Sequence, residues 1–471
     1  MQENNVCSKT VAQNLCVGCG VCAGICPHSN LIIQENAEGG YNPVSLGHCL
    51  SSCSECLHVC PFQDHDFNED SIGKTLYGET AGIRHRIETG YFLNTYVGHV
   101  ADSVHRWRGA SGGMATWFLK TLLIENIVDH VICVTPQQDP HKLFAFEIIS
   151  DPDDILRSAK SAYYPVELSS VLQSVSERPG RYALIGLPCF IKAVRLATLR
   201  NSKLRERILV YAGLVCGQLK TKGFTESLTR KMNLDPRKIR HFCFRHKTHE
   251  RPASNFSMTA SDDRTTATVQ WSDFCSLAWM SGMFKLKSCN FCDDVFSELA
   301  DICFMDAWLP EYAEESAGTS LVITRSALAE RIIREAGIKN GKCDLQEIPV
   351  EKVIESQSFV VITKREMLQH RLWVESKKGR IIPQKRVTPK KPHPLDWLHI
   401  LNAEAIRSRS FMALSKQRAS RDVGLAVFLK QMRKDLYLRK WLYRFNRENF
   451  KAGIKRRIDN VRKRIRPLLK P

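Results

Sequence analysis

The chain has 471 residues, 43% of them apolar, and a formal net charge of +19; this length exceeds one ordinary domain and the apolar share supports a buried core. No run reaches roughly eighteen apolar residues, which excludes a membrane-spanning helix. The charge is concentrated: Arg371 to Pro471 carry 29 Lys+Arg against 7 Asp+Glu, a net of +22, while the preceding 370 residues net −3, so the body is not a nucleic-acid binder.

The first element is a cysteine-rich module over residues 1–68. The chain holds 18 cysteines behind a polar, signal-free start, which points to a reducing cytoplasm. One run reads Cys16-x2-Cys19-x2-Cys22-x3-Cys26-Pro27, the next Cys49-x3-Cys53-x2-Cys56-x3-Cys60-Pro61. Two runs closed by Cys-Pro are the ligand pattern of a bacterial-type ferredoxin with two [4Fe-4S] clusters. In that pattern the fourth cysteine of each run crosses to the other cluster. Cys16, Cys19, Cys22 and Cys60 are therefore assigned to one cluster, and Cys49, Cys53, Cys56 and Cys26 to the second. The second run departs from the pattern by one residue between Cys49 and Cys53. Zinc sites lack the third cysteine and the Cys-Pro ending, and disulfide scaffolds belong to short secreted chains.

Residues 69–94, polar and carrying Gly73, Gly78 and Gly82, read as a linker. Tyr91 to Val100 is an apolar strand candidate. Arg106-Trp-Arg-Gly-Ala-Ser-Gly-Gly-Met then leads into a helix through Trp117, Phe118 and Leu122. Small residues before a helix admit an anion close to the backbone, as a flavin diphosphate requires. Ser111 as an N-cap with Gly112-Gly113 as a tight turn is the stronger reading on these residues alone. Strands follow at Val128 to Val134, Arg181 to Gly186 and Arg207 to Leu214, alternating with helices. That order predicts an α/β body with a mixed, mostly parallel sheet. Cys189 and Cys216 fall at the carboxyl ends of two strands, where functional groups collect in such sheets. With Cys289-x2-Cys292 they are a candidate four-thiolate site; buried free cysteines are the competing reading, applied to Cys133, Cys243, Cys275, Cys303 and Cys343.

Seven stretches carry a resemblance. They are Arg108-Gly-Ala-Ser-Gly-Gly-Met-Ala-Thr; Ala159-Lys160-Ser-Ala-Tyr163-Tyr164-Pro165; Gly186-Leu-Pro188-Cys189; Leu214-Val-Cys216-Gly217; Phe244-Arg245-His-Lys247; Met280-Ser281-Gly282-Met-Phe; and Cys289-x2-Cys292 followed by Ala300-Asp301-Ile and Asp306-Ala-Trp308. In this order, over about residues 95–325, they resemble the family of coenzyme F420 hydrogenase/dehydrogenase beta subunits, here with a fused ferredoxin module. The resemblance implies a body in two parts, residues 95–175 and 176–365. It implies FAD and a [4Fe-4S] cluster there, so a third cluster in all, held by Cys189, Cys216, Cys289 and Cys292. It places Ser111, Gly112, Gly113 and Lys160 near the flavin. Relatives exchange electrons with coenzyme F420 or reduce other substrates. Gly109-Ala110-Ser111 replaces the usual Gly/Ser-Ser-Ser, and Leu187 a common Thr.

Residues 366–471 form a basic, Pro-rich linker and a helical tail. Ile454, Ile458, Val461, Ile465 and Leu468 recur at helical spacing among lysines and arginines, a pattern suited to an anionic membrane surface or an acidic partner, or to packing on the body. Truncation after Pro394 is expected to spare the cofactors and release the protein from anionic vesicles. The resulting expectation is a cytoplasmic iron–sulfur flavoprotein oxidoreductase, peripheral at the inner membrane surface where the tail docks, working with a redox partner protein or a small-molecule electron donor or acceptor. Two alternatives are a non-catalytic electron-transfer subunit, feeding a partner enzyme, and a reductase in cell-surface polysaccharide precursor metabolism.

Overall fold

The computed structural model describes residues 4–47, 49–50, 52–64, 66–419 and 425–442. At the N-terminus, β1 (Leu31–Glu35) and β2 (Tyr41–Ser45) pair antiparallel. The short helices Val21–Gly24 and Glu55–His58 each begin inside a cysteine run. Gly18, with φ 72°, turns the loop where a side chain would meet the Tyr41 carbonyl at 2.6 Å, a position only glycine fills without strain.

This module shares the body's core. Val21, Ala23 and Leu31 pack in one apolar cluster with Leu172, Leu184 and Ile191. The expected linker is built structure: Asn68 caps the helix Glu69–Tyr77 by accepting from the N–H groups of Asp70 and Ser71. Tyr77 is buried, its hydroxyl donating to the Leu299 carbonyl at 3.1 Å. The ribbon β3 (Arg84–Arg86) and β4 (Gly90–Phe92) follows. Asn68 and Ser71, three residues apart, are a capping signal that the glycine-rich composition masked.

The body is an eight-stranded sheet. Its strands are β5 (Thr95–Val100), β6 (His130–Asp139), β7 (Lys142–Ile149), β8 (Tyr182–Gly186), β9 (Ile208–Leu214), β13 (Ile302–Asp306), β14 (Ser320–Thr324) and β15 (Cys343–Glu347), in the order β15-β5-β14-β13-β9-β8-β6-β7. The four inner strands β6, β8, β9 and β13 run parallel, and antiparallel pairings flank them on both sides. Tyr-Ala-Leu-Ile-Gly in β8 is nearly all buried, as a strand covered on both faces requires. A separate antiparallel sheet joins β10 (His241–His246), β11 (Ser257–Ser261) and β12 (Thr266–Gln270).

The tail packs back onto this body. In the helix Pro394–Ala419 and the helical residues 426–442, Ile406, Leu414, Phe428 and Met432 are buried against Phe274 and Phe284. The expected stripe from Ile454 to Leu468 lies outside the described residues.

Candidate functional site: three cysteine sets and a cationic pocket

The loops from the two cysteine runs interleave. Cys22 lies close enough to Cys16, Cys19 and Cys60 for their charges to act on it, and Cys56 stands in the same relation to Cys49, Cys53 and Cys26. The fourth cysteine of each run thus lies within electrostatic reach of the other run's thiols, and Cys49 within reach of Cys56 despite the extra residue. In the body, β8 runs into the helix Pro188–Arg200 and delivers Cys189 at its first turn; β9 delivers Cys216; the short turn Lys287–Phe291 delivers Cys289 and Cys292. Cys189 feels the charges of Cys292, Cys216 and Cys289 in that order, then of Cys19. The three sets adjoin in sequence: Cys56 borders Cys22, and Cys19 borders Cys189.

Burial, then repulsion from neighbouring thiols, pushes Cys19 and Cys216 up to about 12 and Cys56 to about 11. Clustered thiols become thiolates when cations sit between them, so the donor sets fit iron. Among the described residues no three His, Cys, Asp or Glu side chains gather tightly enough for one metal ion. A zinc site needs its sulfurs about 2.3 Å from a single point; in a cubane each cysteine binds a different iron, and the sulfurs stand further apart. Backbone N–H groups already point at sulfur: Gly18 to Cys16 at 3.3 Å, Asn30 to Cys26 at 3.4 Å and Leu219 to Cys289 at 3.2 Å.

A second site lies where the loop before the helix Met114–Ile124 meets β10. Ser111 is not the N-cap. That position is Gly113, at φ 84°, while the Ser111 hydroxyl donates to the Thr319 carbonyl at 2.6 Å and the Gly112 N–H to Ser320 Oγ at 3.0 Å. These donors hold the loop to β14. The groups that supply positive charge are side chains. Lys160, in the left-handed region at φ 82°, donates to the carbonyls of Trp107 and Gly109 at 3.1 and 3.2 Å. Lys247 donates to those of Arg106, Ser111 and Ala317 at 2.8, 2.8 and 2.6 Å. Arg245 is 3% exposed, pairs with Asp306 at 2.8 Å and donates to the Ala110 carbonyl at 3.1 Å. Its buried Nε has no partner among the described residues. Arg106 pairs with Glu315 at 2.5 Å. Burial, then the neighbouring cations Lys160, Arg245 and Arg106, pushes Lys247 down to about 6, and burial pushes Lys160 down to about 8. Trp107 stacks on His249 at 4.0 Å beside these cations. Two arginines and two lysines pushed towards neutrality face two carboxylates beside an aromatic pair, a set that fits an anionic aromatic ligand whose charge favours the protonated amines.

Two stretches of this chain match family models. Residues 95–173 match the N-terminal part, and residues 180–351 the C-terminal part, of the coenzyme F420 hydrogenase/dehydrogenase beta subunit. The chain belongs to the family of coenzyme F420 hydrogenase/dehydrogenase beta subunits. Its class is therefore redox. It is 22% identical over 368 residues to the coenzyme F420-dependent sulfite reductase of Methanocaldococcus jannaschii, covering 75% of this chain and 50% of that protein. It is 23% identical over 218 residues to one of the subunits of the F420H2 dehydrogenase of Methanosarcina mazei, covering 44% and 55%. The chain thus spans about half the length of these curated relatives. A chain of the F420-reducing [NiFe] hydrogenase complex from Methanosarcina barkeri, in a xenon-derivatised structure, aligns at TM-score 0.48 and 17% identity over 61% of this chain and 95% of that one.

The family matches enclose Ser111, Lys160, Cys189, Cys216, Cys289 and Cys292, and exclude both ferredoxin-type runs. Arg106, Arg245 and Lys247 were missed as pocket residues by sequence reasoning. Arg245 lies in β10 and Lys247 just past its end, two residues apart, and the stretch Phe244-Arg245-His-Lys247 was the only signal of them.

Proposed function

We propose that this chain is an iron–sulfur flavoprotein oxidoreductase that carries electrons between a ferredoxin module, residues 1–68, and a flavin in the body, residues 95–365. The observation that carries the reading is the unbroken adjacency of three four-cysteine sets, from Cys56 to Cys22 and from Cys19 to Cys189. Clusters exchange one electron at a time, and a flavin links that to two-electron hydride chemistry. The chain's part is to hold the groups, shield them from water and set their potentials through burial and hydrogen bonds to sulfur.

The cationic pocket supports FAD as the flavin. Arg106, Lys160, Arg245 and Lys247 would neutralise a diphosphate, with the helix Met114–Ile124 adding its N-terminal dipole. Side-chain contacts run from this cluster towards the third cysteine set: the Tyr163 ring lies 5.4 Å from that of Phe244, beside Arg245, and 4.7 Å from the Trp279 ring, and Lys220 lies 5.1 Å from the same Trp279 ring. The names of the relatives favour coenzyme F420 as a hydride partner, with a redox protein at the other end.

Iron and flavin content per chain, on protein purified without oxygen, tests the proposal. About twelve irons and one FAD are expected. About eight irons and no flavin would overturn the body's redox role. Reduction of an artificial dye by the purified chain with reduced F420 as donor separates an enzyme from a passive electron-transfer subunit, which needs its partner.

A further inference from the structure

The three cysteine sets differ in the charge that surrounds them. Around Cys56 the strongest charges are the other thiols of its set. Cys60 feels Lys192, itself paired with Glu69 at 3.1 Å, and Cys19 feels the carboxylate of Glu167. The third set is different. Buried Lys364 points Nζ at Cys292 Sγ, 3.2 Å away, and its charge also reaches Cys216 and Cys289. Lys285 acts on Cys289, and Arg371 and Lys385 on Cys292. Lys364 is fixed in place by a second bond, to the Asp294 carbonyl at 2.7 Å. It lies beyond the family matches, which end at residue 351.

Adding an electron to a cluster held by four thiolates increases an already negative charge. In a poorly screened interior the cost falls when a fixed cation stands a few ångströms away. A hydrogen bond to the sulfur acts in the same direction. We propose that Lys364 is a positioning residue that raises the reduction potential of the group held by Cys189, Cys216, Cys289 and Cys292 above those of the two ferredoxin-type groups. An electron delivered to the ferredoxin module then comes to rest in the body: one ferredoxin-type group is oxidised by one electron and the third group is reduced by one. This inference rests on the reading of those four cysteines as a cluster site.

The test is a potentiometric titration with dithionite, followed by electron paramagnetic resonance, on wild type, Cys216→Ala, Lys364→Met and Lys364→Arg, with iron counted in each. The signal absent from Cys216→Ala marks the third group. In wild type it is expected to appear first as the potential is lowered. Lys364→Met should move that signal alone to lower potential, and Lys364→Arg should leave it near the wild-type value. An unmoved signal in an iron-replete Lys364→Met protein, or a third-group signal that does not appear first in wild type, overturns the inference. Should Lys364→Met lose iron, the wild-type order decides. Equal iron in Cys216→Ala and wild type instead removes the third cluster itself, a distinct failure.

Discussion

Lys247 shows how one side chain ties the fold to a charge it is built to meet. Its ordinary value of 10.5 falls to about 6 in the folded chain. Between those values the unfolded chain binds more protons, so the cost of burying Lys247 is complete below about pH 6 and fades as the pH rises towards 10.5. An anion in the pocket reverses this by favouring the protonated amine. At pH 7, where Lys160 is already mostly protonated and Lys247 mostly neutral, pyrophosphate or FAD binding should therefore take up close to one proton, read by calorimetry in buffers of different ionisation enthalpy. Lys247→Met should abolish the uptake and weaken binding about tenfold or more, by about 1.5–3 kcal/mol for a hydrogen bond to a charged group. Proton uptake that persists in the variant would shift the role to Lys160. Cys26 and Cys60 offer a second test at this scale. Cys26→Ser should cost about four irons and the signal of the Cys49, Cys53 and Cys56 set, while Cys60→Ser should remove the other. Iron analysis with resonance spectra distinguishes this crossed assignment from one in which each run holds its own cluster.

Among the elements, the irregular segment 378–393 acts as a clasp. Glu298, 2% exposed, receives both Arg386 at 2.7 Å and Arg365 at 2.5 Å, and Arg386 also reaches Asp293 at 3.1 Å and Asp70 at 2.8 Å. One arginine thus joins the capped helix after the ferredoxin module to the loop behind the third cysteine set. Arg386→Met leaves Glu298 with Arg365 alone and Asp293 with Lys385 alone, and taking one cation from these buried carboxylates should cost about 3–5 kcal/mol in denaturant unfolding; a loss below about 1 kcal/mol would mean that the remaining cations neutralise them. Nothing local announces such a clasp, since 378–393 has the composition of a linker. The same reason separates what the sequence reveals of the site from what it hides. Cys16 to Cys60 is readable because cluster geometry acts within single runs. Cys189 and Cys216 are readable at the ends of the apolar strands β8 and β9. Lys364 and Arg371 are not, because burial of a lysine or arginine more than seventy residues from Cys289 has no spacing rule. Residues 69–94 failed for the opposite reason: three glycines outweighed an Asn-x-x-Ser cap.

At the scale of the whole chain, the basic tail divides at the edge of the described residues. Its helix Pro394–Ala419 and residues 426–442 complete an aromatic core: the Phe284 ring sits 5.6 Å from Phe428, and Asn402 donates to the Asp435 carbonyl at 3.1 Å. Each buried Ile, Leu, Phe or Met there contributes about 1.5–3 kcal/mol. Truncation after Pro394 removes Ile406, Leu414, Phe428 and Met432 together and should unfold or aggregate the protein, contrary to the expectation that it would leave the cofactors untouched. Truncation after Leu442 spares that core and removes the basic stripe from Ile454 to Leu468. No helix among the described residues is long and apolar enough to cross a membrane. The shorter protein should retain wild-type iron and melting temperature while its sedimentation with anionic vesicles falls to the level seen with zwitterionic ones. The attraction in the full chain should weaken steeply between low and physiological salt, as surface charge does. Equal vesicle binding by both forms would assign the charge of residues 443–471, 11 Lys+Arg against 2 Asp+Glu for a net of +9, to an acidic protein partner instead, and the same pair of proteins would then serve to capture it.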